Sequence, residues 1–146
     1  MSDREFRGPA RFNHVAMSLT PEALSEQGRN DICSFYGEVF GWQEIPQMTE
    51  DNKRLVLSVH QVDQFVFLVA DDEPMRGPRL DHFGVSVDSV NDLRSTLDKA
   101  KALATRDDRV DLIDYQVEDH DVLKIHNFYV GFLLPLMVEV QHFEFA

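Results

Sequence analysis

Two histidines stand in the same local sequence setting, in residues 12–19 and 80–87. In both stretches large apolar residues alternate with small or polar ones, the pattern of a strand with one packed face. His14 shares its strand face with Ala16 and Ser18, and His82 shares its face with Gly84 and Ser86. Such small neighbours leave open volume above a sheet, and this volume favours a bound ion or substrate.

A carboxylate lies in an apolar stretch near the end of the chain. Glu139 stands between Val138 and Val140, where an unpaired charge would be costly. Two imidazoles and one carboxylate form an open ligand set that suits Fe(II) or Mn(II) and is compatible with Zn(II) or Ni(II). We therefore predict one divalent ion held by His14, His82 and Glu139. The alternative is a hydrogen-bonded cluster of the same three residues without a metal.

The elements that must position these residues repeat along the chain. Apolar residues follow a helical period between 32 and 40 and again between 90 and 104. We expect Asn30 or Asp31 to cap the first helix and Gly41 to end it, and Ser89 with Asp92 resembles a capping box for the second. Residues 20–29 read as a polar loop that could cover a site.

Three strand-like runs follow each helix, so each half of the chain reads β-α-β-β-β. Turn-forming residues separate the runs, which span 42–48, 54–60 and 64–70, then 110–118, 122–130 and 136–143. The stretch 71–78, rich in proline and charge, reads as a linker. We predict one α+β domain over residues 1–146, with module one at about 11–71 and module two at about 80–145.

Composition excludes several classes of function. The chain has 146 residues, is 43% hydrophobic and carries a formal net charge of −12, which repels nucleic acid and anionic membrane surfaces. The longest apolar run is far too short to span a membrane. Cys33 is the single cysteine, so an internal disulfide is impossible and a reducing cytoplasm is the expected compartment.

These features together resemble the vicinal oxygen chelate superfamily. The resemblance rests on the paired modules, on Phe35-Tyr36 with Phe40-Gly41-Trp42 in the first helix, and on His14, His82 and Glu139. It implies two half-barrels around a central cleft with the helices outside. It also implies that the modules pair within one chain or between the chains of a homodimer, and that the ligand is a small molecule.

Departures from the family pattern narrow the reaction. Glyoxalase I and the related epimerase carry a fourth ligand on the last strand of the first module. Matching Val66 to Val138 puts Phe67 at that place, so the fourth ligand is absent. The set that remains resembles that of the extradiol dioxygenases and the fosfomycin-resistance enzymes.

A second spacing resembles the extradiol dioxygenase signature. His120 is followed after seven residues by Phe128-Tyr129, and Glu139 comes ten residues later. The resemblance implies that His120 acts as an acid or base and that Tyr129 binds the substrate oxygen. The following turn, residues 132–135, departs from the signature, and the acidic neighbours of His120 also fit a solvated turn.

Two functions remain open from the sequence. The first is a metalloenzyme acting on a small oxygenated substrate, with an extradiol dioxygenase-like reaction slightly favoured over lyase, isomerase or transferase chemistry. The second is a metal-free protein that binds an aromatic or antibiotic-type ligand, as the bleomycin-resistance proteins do. Its expected walls are Phe65, Phe67, Trp42 and Tyr115.

Overall fold

The computed structural model describes residues 9–146 and contains the two predicted βαβββ modules. Module one consists of β1 (His14–Leu19), α1 (Glu26–Phe40), β2 (Gln43–Glu44), β3 (Arg54–Ser58) and β4 (Phe65–Ala70), with short 3-10 helices at Pro21–Leu24 and Pro46–Met48. Module two consists of β5 (His82–Ser86), α2 (Val90–Ala104), β6 (Asp111–Asp119), β7 (Leu123–Gly131) and β8 (Met137–Phe145). In the part of the chain that the structure describes, neither helix is long and apolar enough to cross a membrane.

Each module forms one four-stranded sheet with the same strand order. The orders are β1-β4-β3-β2 and β5-β8-β7-β6, so the first strand of each module pairs in parallel with the last. Within residues 9–146, β1 is hydrogen-bonded to β4 alone and β5 to β8 alone. The two strands that begin with the candidate histidines therefore lie at the sheet edges.

The start of α1 corrects the sequence-based expectation. The helix begins at Glu26 rather than near residue 30, because the Ser25 hydroxyl accepts a hydrogen bond from the backbone N–H of Gly28. Residues 20–29 are therefore a 3-10 turn and the first turn of α1, not an open loop. The predicted helix end at Gly41 and the Ser89 cap of α2 are both confirmed, with Gly41 at a φ of 74°.

The strand predicted over 42–48 is much shorter in the structure. Only Gln43 and Glu44 pair with β3, and Pro46 begins a 3-10 turn. Proline has no N–H to donate to a sheet ladder, so pairing stops before it. Trp42 precedes the strand and is buried in the core.

The apolar core lies between the sheets and the helices. Along each strand the residues that face the helices alternate with residues of the opposite face, which we call the helix-free face. Among the buried ones are Met17, Leu19, Leu55, Leu57, Val66, Leu68, Phe128, Val130, Val138 and Val140. The modules meet where Tyr36 donates a hydrogen bond to the carbonyl oxygen of Phe132 at 2.8 Å, and where the Phe35 and Phe132 rings stack 4.4 Å apart.

Candidate functional site

His82 and Glu139 meet on the helix-free face of module two. Nε2 of His82 lies 3.2 Å from Oε1 of Glu139, a residue only 7% exposed. The parallel pairing of β5 with β8 brings them together, with Gly84 directly opposite Glu139 in the ladder. A carboxylate this deep in the protein requires a compensating partner.

The contacts of the two His82 ring nitrogens limit what that partner can be. Its Nδ1 lies 2.7 Å from the carbonyl oxygen of Leu80, which can only accept, so Nδ1 carries a proton and donates. In the neutral ring Nε2 then presents a lone pair to the oxygen of Glu139. Two lone pairs facing each other at 3.2 Å need a proton or a metal ion between them. The donor set therefore fits a divalent cation.

Tyr129 completes this group from β7. It lies directly across the ladder from Glu139, and its ring packs edge-on against His82 with the centroids 5.0 Å apart. Burial, and then the Glu139 carboxylate, raise the pKa of the Tyr129 phenol above its usual value. The phenol is therefore protonated at neutral pH and available as a hydrogen-bond donor.

Asn127 is a site residue that sequence reasoning missed. Its side chain is fully buried, and Nδ2 donates to Oε2 of Glu139 at 3.0 Å and to Oε1 of Glu118 at 3.4 Å. Its Oδ1 has no hydrogen-bond partner among the described residues. The available signal was its position two residues before Tyr129 and two after Ile125, on the same strand face.

His14 lies apart from the His82–Glu139 pair. Its ring stacks on Phe65 at 4.7 Å, and Nδ1 donates to Oδ1 of Asn13 at 2.8 Å, which leaves the lone pair of the neutral ring on Nε2 as in His82. A groove of about 680 Å³ between the modules is lined by His14 and by part of β5, but by neither His82 nor Glu139. Among residues 9–146, no three His, Cys, Asp or Glu side chains form a group that could hold a metal.

His120 is exposed at the turn between β6 and β7 and does not touch the His82–Glu139 pair. Its Nε2 lies 3.4 Å from Oε2 of Glu118. Glu118 in turn accepts from Asn127, so His120 reaches Glu139 only through two intervening side chains.

A second polar group lies on the opposite, helix-facing side of module two. The hydroxyl of Tyr115 contacts Nδ1 of His126, and Nε2 of His126 donates to Glu144 at 2.8 Å. The guanidinium of Arg94, from α2, covers the Tyr115 ring. Tyr115 therefore faces α2 rather than the helix-free face, and Trp42 packs in the core beside Tyr36 and also lines the groove between the modules.

The helix-free face of module one is apolar around His14. Phe65 and Phe67 lie on β4, directly opposite His14 and Ala16 of β1. Gln64, the nearest amide to the place of a fourth ligand, accepts instead from the backbone N–H of Gln61. This surface offers stacking and apolar contact rather than a further metal ligand.

Comparison with known proteins places these features in a wider group. The sequence profile of the Glyoxalase/Bleomycin resistance protein/Dioxygenase superfamily matches residues 12–121. A segment of the peroxide stress-activated histidine kinase mak3 of Schizosaccharomyces pombe is 26% identical over 134 residues. That alignment covers 85% of this chain, which spans only 6% of the length of the kinase.

Three solved structures show the same fold at low sequence identity. Lactoylglutathione lyase from Agrobacterium tumefaciens aligns with a TM-score of 0.60 and 14% identity over 92% of this chain and 95% of that one. A variant of the fosfomycin resistance protein FosX from Listeria monocytogenes was solved in complex with Mn(II) and 1S,2S-dihydroxypropylphosphonic acid. It aligns with a TM-score of 0.61 and 12% identity over 91% of this chain and 92% of that one. A glyoxalase/bleomycin resistance protein/dioxygenase from Alicyclobacillus acidocaldarius aligns with a TM-score of 0.59 and 15% identity, and the alignment covers 92% of both chains.

Proposed function

Because the chain belongs to the Glyoxalase/Bleomycin resistance protein/Dioxygenase superfamily, we propose that it is a metalloenzyme acting on a small oxygenated substrate. The proposal depends chiefly on one observation, the 3.2 Å approach of Nε2 of His82 to Oε1 of the buried Glu139 carboxylate. His82 and Glu139 of one chain and His14 of a second chain would hold one divalent ion. Fe(II) or Mn(II) is favoured for this set, and Zn(II) or Ni(II) is compatible with it.

The proposal requires a second chain because a single chain does not bring the three ligands together. His14 and His82 are the first residues of β1 and β5, the strands whose outer edges are unpaired within the described part of the chain. Open strand edges favour association with another copy. A homodimer that brings β1 of one chain to β5 of its partner would place both Nε2 lone pairs at one site.

The chain's own side chains suggest how a substrate would be handled. A divalent ion, when bound, polarises a substrate oxygen and stabilises negative charge that develops on it. The protonated phenol of Tyr129 can donate a hydrogen bond to the same substrate oxygen or its neighbour. Phe65 and Phe67 provide apolar contact, which suits a ring-bearing substrate better than a strongly charged one.

An extradiol dioxygenase-like reaction on a catechol is the leading choice among the possible reactions. Because Phe67 offers no ligand atom, an ion held by His14, His82 and Glu139 would keep two or more exchangeable positions for a bidentate substrate. Lyase, isomerase or transferase chemistry remains the next choice. Turnover should be measured anaerobically and under oxygen, with Fe(II), Mn(II) and Zn(II), against catechols, thiol adducts and epoxides.

A complementation experiment tests the shared site directly. His14→Ala and His82→Ala chains should each bind little metal alone. After mixing and refolding, half of the dimers are mixed and each contains one intact site, so roughly a quarter of the wild-type sites should return. Mixing His82→Ala with Glu139→Ala is the matched control and should restore none. Recovery in the control, or its absence in both mixtures, would contradict a site shared between chains.

The metal-free binding protein is the second candidate. The observation that favours it is the stacked His14 and Phe65 pair on an apolar face, a surface that can hold an aromatic ring without a metal. Chelator-treated protein should then bind aromatic ligands as tightly as metal-loaded protein. Binding that requires the metal would remove this candidate.

A further inference from the structure

We infer that Asn127 is a positioning residue that holds the Glu139 carboxylate so that one oxygen only, Oε1, is presented to the metal. This inference rests on the proposed metal site and goes beyond it, because it assigns the way in which Glu139 binds. Nδ2 of Asn127 donates to Oε2 of Glu139 at 3.0 Å, while Oε1 faces His82 at 3.2 Å. The two carboxylate oxygens therefore have different partners.

Burial makes the amide contact effective. Asn127 is fully buried and Glu139 is 7% exposed, so water competes little for the oxygen that Asn127 occupies. A hydrogen bond to a charged carboxylate is stronger than one between neutral groups. Without it, the last torsion of a glutamate has a broad range, and both oxygens could turn toward the ion.

Glu118 keeps the amide of Asn127 in its orientation. Its Oε1 lies 3.4 Å from the same Nδ2, so the nitrogen of Asn127 faces two carboxylates. An amide turned over would point its oxygen at both of them, which is unfavourable. The two acceptors thus select the orientation in which Asn127 donates to Glu139.

The first test measures the binding and the visible absorption of metal ions added to the protein. Asn127→Leu removes the donor and keeps the branched shape and the number of heavy atoms of the side chain, and Ile125→Ala, on the same strand and face, is the control for altered packing. We expect Asn127→Leu to weaken Mn(II) binding about 10- to 100-fold, the usual effect of losing an outer partner of a ligand. We also expect weaker visible Co(II) absorption, since a carboxylate binding through both oxygens raises the coordination number. Ile125→Ala should leave both readouts unchanged.

The second test needs no metal and separates this inference from the proposed function. Urea unfolding of the metal-free protein should show a lower midpoint for Asn127→Leu in the wild-type background. In a Glu139→Leu background the same change should lower the midpoint less, because Asn127 has already lost the shorter of its two carboxylate contacts and keeps only the one to Glu118. Asn127→Ala repeats both measurements if the leucine variant does not fold.

Each result supports or overturns the inference. Coupling in the unfolding cycle without any Mn(II) binding by the wild type would support the fixing of the Glu139 carboxylate by Asn127 and refute the proposed metalloenzyme. Equal midpoint losses in both backgrounds, or Mn(II) affinity and a Co(II) spectrum unchanged by Asn127→Leu, would overturn the inference.

Discussion

Tyr129 lies directly across the β7–β8 ladder from Glu139, and its ring meets His82 edge-on at 5.0 Å between centroids. Adjacent side chains on one sheet face can act on the same bound molecule. This relationship puts the phenol, a neutral donor, on the same sheet face as the His82–Glu139 pair and beside it. It also separates the role of Tyr129 from that of the proposed metal ligands.

Replacing Tyr129 should reduce turnover without removing the metal. We expect Tyr129→Phe to lower the turnover number about a hundredfold or more, the usual loss when one positioned donor is removed. Metal content, measured by elemental analysis, should stay at the wild-type value, whereas Glu139→Ala should lose both. Tyr115→Phe, on the other face of the sheet, is the control and should leave turnover unchanged. Loss of metal from Tyr129→Phe would contradict this role.

The protein should be a homodimer at micromolar concentration. Each chain leaves the outer edges of β1 and β5 unpaired in the described residues, and a dimer can cover them. Size-exclusion chromatography with light scattering measures the mass directly. A monomer at all concentrations up to the millimolar range would rule out the shared site.

Glyoxalase activity should be weak or absent. Phe67 occupies the place where that reaction's fourth ligand is expected, and its neighbours on the helix-free face, Phe65 and Val69, are also apolar. Assays with a hemithioacetal substrate on the Zn(II) and Ni(II) forms measure this. Strong turnover there would show that another side chain, not one matched to Phe67, supplies the ligand.

The contact between Tyr36 and Phe132 should stabilise the junction of the modules. Both residues are buried, and the hydroxyl of Tyr36 is the donor to the Phe132 carbonyl. Tyr36→Phe leaves that carbonyl unsatisfied, so we expect the free energy of unfolding to fall by about 1–3 kcal/mol in urea titrations. Metal affinity should not change. A loss below about 0.5 kcal/mol would indicate that water replaces the hydroxyl.

The ion pair between Arg79 and Asp111 should make stability depend on pH at the acidic end. Two hydrogen bonds from Arg79, and then its charge, lower the pKa of Asp111 below its ordinary 3.8. A depressed carboxyl pKa gives stability that is present above the unfolded value and is lost as pH falls through the folded value.

Asp111→Asn should therefore be less stable than wild type at pH 7 by a small amount, because the pair is partly exposed. The difference should shrink as the pH falls below 3.8. Urea midpoints at pH 7, 5 and 3.5 measure it, and Arg79→Gln should behave in the same way. A difference that grows in acid would show that the pair does not stabilise the fold.

Several features of the fold follow from the sequence because they are local. The alternation of apolar with polar or small residues predicted which side chains share a face of β1, β5 and β8, since neighbouring side chains on a strand must point to opposite sides. Gly41 and Ser89 marked helix boundaries through chemistry within one turn. The predicted start of α1 was wrong by several residues. The first turn after Ser25 is polar and shows no helical period of apolar residues, because it depends on a cap and on tertiary contact.

The site itself was only partly accessible from the sequence. Residue type and strand face single out His14, His82 and Glu139, but they do not say which of them are neighbours. The pairing of β5 with β8 decided that His82 meets Glu139, and the arrangement of the modules decided that His14 lies apart. The bond from Asn127 to Glu139 joins residues on different strands. Only tertiary structure determines such contacts, because the free energy of strand pairing and burial depends on the whole sheet rather than on neighbouring residues.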